Sequence, residues 1–288
     1  EQDIIDWIKS FYSGEIVNNT REFRKYEIDI YLKELNLGIE FNGVYWHSDI
    51  FIKPKYHQNK SLYFKEKSIF IIHIYEWEWL NPKMREKIMI YLKNIILDKG
   101  QVVYARKCKI REIDTSVYRK FLEEYHLQGF IGAETKLGLY YNDRLVQVMS
   151  FGKGRFGVKA TELLRLCTNK DYKVVGGAER LFHYYIRKYN PAQIVSYCNI
   201  DKFKGNVYYR LGMKCDKINP PNYVWVNSST FDVKSRYQTQ RHLLVSDEQD
   251  TRTESEIMRD LGYLKVEDAG TYKFVWEKEV DKDEDKIN

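Results

Sequence analysis

The chain has 288 residues, of which 43% are hydrophobic and 15% aromatic, and it carries a net charge of +6 at pH 7. It is too long for one ordinary domain and too apolar for a disordered chain, and no apolar run reaches the length of a membrane span. Residues 277–288 hold six acids and three lysines, so the body before them is +9, a balance that favours a polyanionic partner or simple solubility.

Cys108, Cys167, Cys198 and Cys215 form no Cys-x-x-Cys pair, which argues against a zinc ribbon, and no signal peptide is present. A reducing cytoplasm is the expected compartment. The chain begins at Glu1 rather than Met, as a piece of a longer protein would.

Taken in order, residues 3–12 place Ile4, Ile5, Trp7, Ile8 and Phe11 at helical spacing. Residues 27–32 and 37–41 alternate, with Ile28, Ile30, Leu32 and then Leu37, Ile39, Phe41 on the apolar parity, and read as a β-hairpin. A polar helix is predicted over 54–66, a buried central strand over 68–75 and an amphipathic helix over 82–97, its stripe being Met84, Ile88, Leu92 and Ile95. The first domain closes near residue 100.

Beyond it the pattern predicts a helix over 115–126 and strands over 136–141, 145–151 and 163–168. A glycine turn, a helix over 178–189, a strand over 194–198 and a short helix over 206–211 follow. A strand over 223–226, a basic stretch over 234–243, a capped helix over 255–261 and a closing hairpin complete the body. The domains are therefore 1–100 and 101–276, with an acidic, disordered tail over 277–288.

The chemistry concentrates in the first domain. Asp29 and Glu40 take the opposite parity from the apolar residues, so both project from the same side of the hairpin. Adjacent carboxylates repel unless a hard cation such as Mg²⁺ or Mn²⁺ lies between them, and a metal-bound water is a nucleophile for phosphodiester hydrolysis. An ordinary exposed hairpin face would also carry such residues. Asn42, Tyr45, Trp46 and His47 follow directly, where a strand leaving the core would turn plainly polar. His57 and Lys60 lie one turn apart on the next helix, suited to proton transfer and to holding a phosphate oxygen. His73, inside the dense strand, reads as structural.

The run from Tyr26 to Tyr31, the run Ile39-Glu-Phe-Asn-Gly-Val-Tyr-Trp-His47, Tyr56-His57-Gln-Asn-Lys60 and Ile71 to Trp79 together resemble the very-short-patch-repair-like (Vsr-like, EDxHD-type) homing endonucleases of phages, a branch of the PD-(D/E)xK superfamily. The resemblance covers roughly residues 1–80. It implies a metal-binding role for Asp29, a second acidic position at Glu40, a histidine role for His47 and a water-orienting role for Glu1. The lysine position of the superfamily holds Asn42, so either His47 or Lys60 stands in or the site is weak.

In the second domain, Lys173-Val-Val-Gly176-Gly177-Ala178 opens a helix after a strand, where backbone N–H groups at a positive helix end suit a pyrophosphate; a plain tight turn is the alternative. With Asn206-Val-Tyr208 and Gly212, and with the order of elements, this stretch resembles a GNAT acyltransferase over roughly residues 103–226. The resemblance implies that Gly176 and Ala178 face the pyrophosphate of acetyl-CoA and that Tyr208 is the acid for the thiolate. Lys234, Arg236, Tyr237 and Arg241 mix basic and aromatic character, suited to phosphate contacts or to an ordinary solvated face.

The sequence thus predicts an α/β protein: an N-terminal PD-(D/E)xK nuclease domain followed by a GNAT-like α+β domain. The leading expectation is a Mg²⁺-dependent endonuclease acting on double-stranded DNA, with Glu1, Asp29, Glu40, His47, His57 and Lys60 at its centre. Asn42, Tyr45, Trp46 and the basic stretch would contact DNA, and a homodimer would serve a double-strand break. The alternatives are an acyl-CoA-dependent GNAT-type transferase acting on nucleic acid or protein, and a catalytically inactive DNA-binding module.

Overall fold

The structure is a computed structural model that describes residues 1–154, 160–245 and 250–278. Of the expected acidic tail only Glu277 and Lys278 fall among these residues; the rest lies outside them. The chain divides into two compact units. The first joins Glu1–Leu97, Asn199–Lys204 and Asn219–Thr271, and the second joins Asp98–Cys198, Gly205–Ile218 and the described part of Tyr272–Asn288.

The first unit opens with α1 (Gln2–Lys9), which buries Ile4, Ile5 and Ile8 along one stripe, as their spacing dictates. Strands β1 (Ile16–Thr20), β2 (Ile28–Leu32) and β3 (Leu37–Asn42) run antiparallel, with Ile30 opposite Ile39. Helix α2 (Tyr56–Glu66) then carries the chain to β4 (Phe70–Tyr75), which pairs parallel with β3 from Leu37↔Phe70 to Asn42↔Tyr75. Parallel neighbours need such a crossover. The sheet order is β1-β2-β3-β4, so the strand expected at the centre of its sheet ends the row instead. Helices α3 (Glu76–Leu80) and α4 (Pro82–Leu97) follow, and α4 buries Ile88, Leu92 and Ile96. This is a mixed α/β arrangement; a separate PD-(D/E)xK nuclease fold is not shown by it.

In the second unit, β5 (Gln101–Tyr104) is followed by β6 (Lys109–Glu112), α5 (Thr115–Tyr125), β7 (Thr135–Tyr141) and β8 (Arg144–Lys153). Asn142 and Asp143 join β7 to β8 with φ of 47° and 58°, the left-handed pair that matches the twist of a two-residue hairpin. Next come β9 (Thr161–Thr168), β10 (Tyr172–Val175), α6 (Gly177–Tyr189), β11 (Gln193–Asn199), α7 (Asn206–Arg210) and β12 (Lys214–Asn219). β10 leaves the main sheet and pairs parallel with β5, Val175 opposite Tyr104.

The chain returns to the first unit as β13 (Tyr223–Asn227), β14 (Val233–Ser235), α8 (Arg241–Leu244), α9 (Glu254–Asp260) and β15 (Tyr263–Glu267). The last strand is β16 (Thr271–Glu277). β15 and β16 were expected as one hairpin. They belong to different sheets: β15 pairs with β13 in the order β14-β13-β15, and β16 lies between β12 and β11 in the order β12-β16-β11-β9-β8-β7-β6. All four cysteines are unbridged. Among the described residues no helix is long and apolar enough to cross a membrane.

One carboxylate organises the small sheet. Glu254 Oε1 accepts from the Trp225 indole N–H (2.7 Å), the Thr239 hydroxyl (2.9 Å) and the Tyr223 hydroxyl (3.1 Å). Trp225 and Thr239 are fully buried, so their donors have no recourse to water. Glu254→Ala is predicted to cost about 3 kcal/mol in chemical denaturation, and Glu254→Gln much less, because the amide oxygen still accepts. Equal stability of the two variants would contradict this assignment.

Candidate functional site

In the first unit the predicted polar residues converge, but as a closed network. Glu40 is 1% exposed and its Oε2 accepts from the Lys60 ammonium, itself 2% exposed. Burial pushes the Glu40 carboxyl up to about 8 against the pull of Lys60. Burial works to lower Lys60, but the Glu40 charge, Tyr56 and Asp29 outweigh it and its pKa is raised. Asp29 is half-buried, accepts from the Phe41 backbone N–H at 2.8 Å, and has its pKa raised chiefly by burial. Glu40 Oε1 and Asn42 Oδ1 are buried without a hydrogen-bond partner. Glu1 is exposed, and the Asn19 amide donates to its Oε1 at 3.4 Å.

The histidines form two chains. His47 Nδ1 and His57 Nε2 are 2.9 Å apart, and His57 Nδ1 is 2.8 Å from the Glu267 carbonyl. The carbonyl only accepts, so His57 carries its proton on Nδ1 and accepts from His47 through Nε2. His73, expected as structural, is fully buried between the Asn42 amide and the Ser61 hydroxyl. Burial lowers His47 to about 4 and His57 to about 3, so both are neutral at pH 7.

The expected nucleic-acid contacts are of two kinds. Tyr45 and Trp46 are 53% and 66% exposed and pack with Phe51 into an aromatic cluster. In the basic stretch, Tyr237 is exposed, Lys234 pairs with Asp232 at 3.5 Å and Arg236 lies over the Tyr223 ring. Arg241 is spent on the backbone carbonyls of Asp250 and Arg252.

In the second unit, β9 and β11 pair parallel only at Ile194↔Thr161 and Val195↔Glu162, although the strands have eight and seven residues. Past these two pairs the ladder stops. The Leu163 carbonyl accepts from the Ser196 hydroxyl at 2.9 Å instead of from a strand N–H. The Tyr208 hydroxyl is hydrogen-bonded to Ser196, and its ring stacks on Phe274 at 4.6 Å. Burial, then the nearby Cys198, holds the Tyr208 pKa well above its ordinary value, so the phenol keeps its proton at neutral pH.

Beside this gap β10 leads into α6 through Gly176, whose φ of 73° is the left-handed conformation that favours glycine. A Cβ on Gly177 would stand 2.2 Å from Gln147 Oε1, a buried oxygen without a partner. Ala178 is buried, and no side chain caps the thirteen-residue helix. Its first N–H groups therefore form a positive end. Around it lies a depression of about 440 Å³ lined by Tyr104, Ala105, Arg106, Val175, Gly176 and Arg180. Lys173 does not reach into it; its ammonium pairs with Asp98 at 2.5 Å. An uncapped helix end without a Cβ at its entry, flanked by two guanidinium groups, fits the pyrophosphate of coenzyme A.

The chain is similar to solved acetyltransferases. One is an acetyltransferase of Bacillus subtilis in complex with CoA, at 11% identity and a TM-score of 0.32, covering 60% of this chain and 100% of that one. Another is a GNAT-family acetyltransferase of Bacillus anthracis, at 12% identity and a TM-score of 0.32, covering 59% and 95%. A third, from Elizabethkingia anophelis with acetyl-CoA bound, stands at 9% identity and a TM-score of 0.30, covering 60% and 99%. No family model and no curated protein matches the chain.

The expectation of a metal-dependent DNA endonuclease is corrected by the residues meant to carry it. The geometry supplies the physical reason. The cation beside Glu40 is Lys60, and both acidic groups are pushed towards their neutral forms. Among the described residues no group of three or more His, Cys, Asp or Glu side chains is placed to hold Mg²⁺ or Mn²⁺. Hydrolase and homing-nuclease assignments fall with it.

Sequence reasoning passed over Arg106, Gln147, Arg180 and Ser196. Arg180 alone carried a signal, being one helical turn after Gly176. The other three reach the site through strand pairing distant in sequence.

The buried histidines predict an acid response. Both folded-state values lie below the unfolded value near 6.5, so the unfolded chain binds more protons and stability falls as pH drops from about 6.5 towards 3. Glu40, raised in the folded state, works in the opposite sense between about 4.5 and 8. The comparison is therefore with His57→Asn, which should flatten the wild-type stability slope by about 1.4 kcal/mol per pH unit between pH 6 and 4. Parallel slopes for the two proteins would show that His57 is not held neutral.

Proposed function

We propose that the protein is an acyl-CoA-dependent transferase of the GNAT type acting on nucleic acid or protein. The observation that carries this reading is the interrupted ladder between β9 and β11, with the Tyr208 hydroxyl at its mouth and the glycine turn of α6 beside it. Past their two register pairs the two strands no longer share a ladder, so each presents a backbone edge along the gap. An extended amide chain laid in the gap pairs with such an edge as an added strand would.

Acyl-CoA supplies an activated thioester and a thiol leaving group. The chain's own residues do the rest. The N–H groups at the start of α6, with Arg180 on its first turn, hold and orient a pyrophosphate. The open edges of β9 and β11 fix an extended arm. Tyr208, protonated at neutral pH, stands where it can pass its hydroxyl proton to a departing sulfur. The excess positive charge of the body supports a nucleic acid as acceptor, through its phosphates.

Calorimetric titration with acetyl-CoA tests the reading. Saturable binding is expected for the wild type and, within about twofold, for Tyr208→Phe. Thiol release in the presence of nucleic acid or protein acceptors should fall by about 10²–10⁴-fold in the variant. A well-folded wild type that gives no binding heat contradicts the proposal.

A further inference from the structure

The first unit carries a basic depression that the transferase reading leaves unused. The loop between β1 and β2 runs Arg21-Glu22-Phe23-Arg24-Lys25-Tyr26-Glu27. Phe23 pins it: its ring packs edge-on against Tyr31 at 5.8 Å and Phe64 at 5.1 Å, and its carbonyl accepts from the Tyr63 hydroxyl at 2.6 Å. Arg24 has a φ of 54°, a conformation few arginines adopt, and is exposed. The loop therefore presents its cations from a fixed base.

Arg21, Arg24, Lys25, Tyr26, Glu27 and the Tyr56 of α2 line a depression of about 350 Å³. Glu27 is the one acid in this lining, 3.6 Å from Arg21, and both side chains of that pair are well exposed, so it holds loosely. Among the described residues no carboxylate pairs with Arg24 or Lys25, and Lys25 lies instead over the rings of Tyr26 and Tyr63. The hydroxyls of Tyr26 and Tyr56 have no hydrogen-bond partner among the described residues either. Three cations and two phenol donors thus surround one hollow. Like charges gathered in this way repel, and an anion with several acceptor oxygens relieves them.

We propose that this depression seats a phosphate of a nucleic-acid backbone, with Arg24 and Lys25 on its oxygens and the Tyr26 and Tyr56 hydroxyls as further donors. Side chains of these types grip the backbone without reading its bases. A strand, unlike a single phosphorylated side chain, also draws on the +9 charge of the chain before residue 277. The site binds and does not cut. It belongs to the first unit, whereas the transferase reading rests on the second, so the two fail separately.

The test is a set of fluorescence anisotropy titrations of the full chain with labelled DNA strands of two unrelated sequences, over a range of salt concentrations. The variants are Arg24→Ala, Lys25→Ala, Arg24→Lys and Tyr26→Phe. Arg24 and Lys25 are exposed and Tyr26→Phe keeps its ring, so thermal melts matching the wild type are expected for all. The wild type should bind both sequences alike and more tightly as salt falls. Each alanine variant should weaken both sequences equally, by about tenfold, and should reduce the slope of log affinity against log salt by about one. Arg24→Lys should restore the slope, and Tyr26→Phe should weaken binding by about fivefold with the slope unchanged. Wild-type protein that binds neither strand at low salt, alanine variants that keep the wild-type slope, or tighter binding of a phosphoserine peptide than of either strand overturns the proposal. Acetyl-CoA titrations of the same variants should match the wild type, and the transferase reading stands or falls on those alone.

Discussion

A parallel ladder holds two strands together only where their backbones are in register, and the parting of β9 from β11 after two register pairs is the constraint on which the rest of the second unit depends. Two register pairs hold the strands together, and then each runs on with an edge facing the other. A β-sheet does not part at its middle for nothing, since each lost ladder bond leaves a donor and an acceptor exposed. Ser196 repairs one of them by donating to the Leu163 carbonyl, and in doing so it fixes the Tyr208 hydroxyl at the same place.

The rest of the second unit can be understood from that break. β10 leaves the sheet and is caught by β5, which sets the approach to α6 and places Tyr104 and Arg106 beside the helix end. Gly176 is in the left-handed region, which disfavours a side chain at the cap, and a Cβ on Gly177 would collide with Gln147 and Val174. Strand parting and helix end belong to one unit. The polar cluster of the first unit is different in kind. Its charges and imidazoles are consumed by one another, and burial drives its carboxyls and imidazoles towards neutrality while Lys60 is held charged by its partners.

Much of this was legible in local pattern. Ile88 and Leu92 on the stripe of α4, the amphipathic α6 and the Asn142–Asp143 turn follow from periodicity and turn chemistry, and the glycine turn was visible at Lys173–Ala178; the buried stripe ends on Ile96 rather than the expected Ile95. What failed to show was tertiary. Alternation placed Asp29 and Glu40 on one parity but could not tell that this face is covered, or that Lys60 reaches Glu40 from α2. The nuclease expectation grew from that gap. The pairing of β5 with β10 joins segments some seventy residues apart and left no local trace, so Arg106 went unnoticed. For the same reason β15 and β16 read as a hairpin although they belong to different sheets.

The central claim is that the edges facing each other across β9 and β11 are held open for an extended ligand. Amide hydrogen exchange with and without acetyl-CoA addresses it at residue level. The account predicts that ligand slows exchange at amides within 163–168 and 196–199 and at the first turn of α6, while amides in α4 of the first unit are unchanged. Exchange in those two strand segments that is the same with and without saturating acetyl-CoA would contradict it.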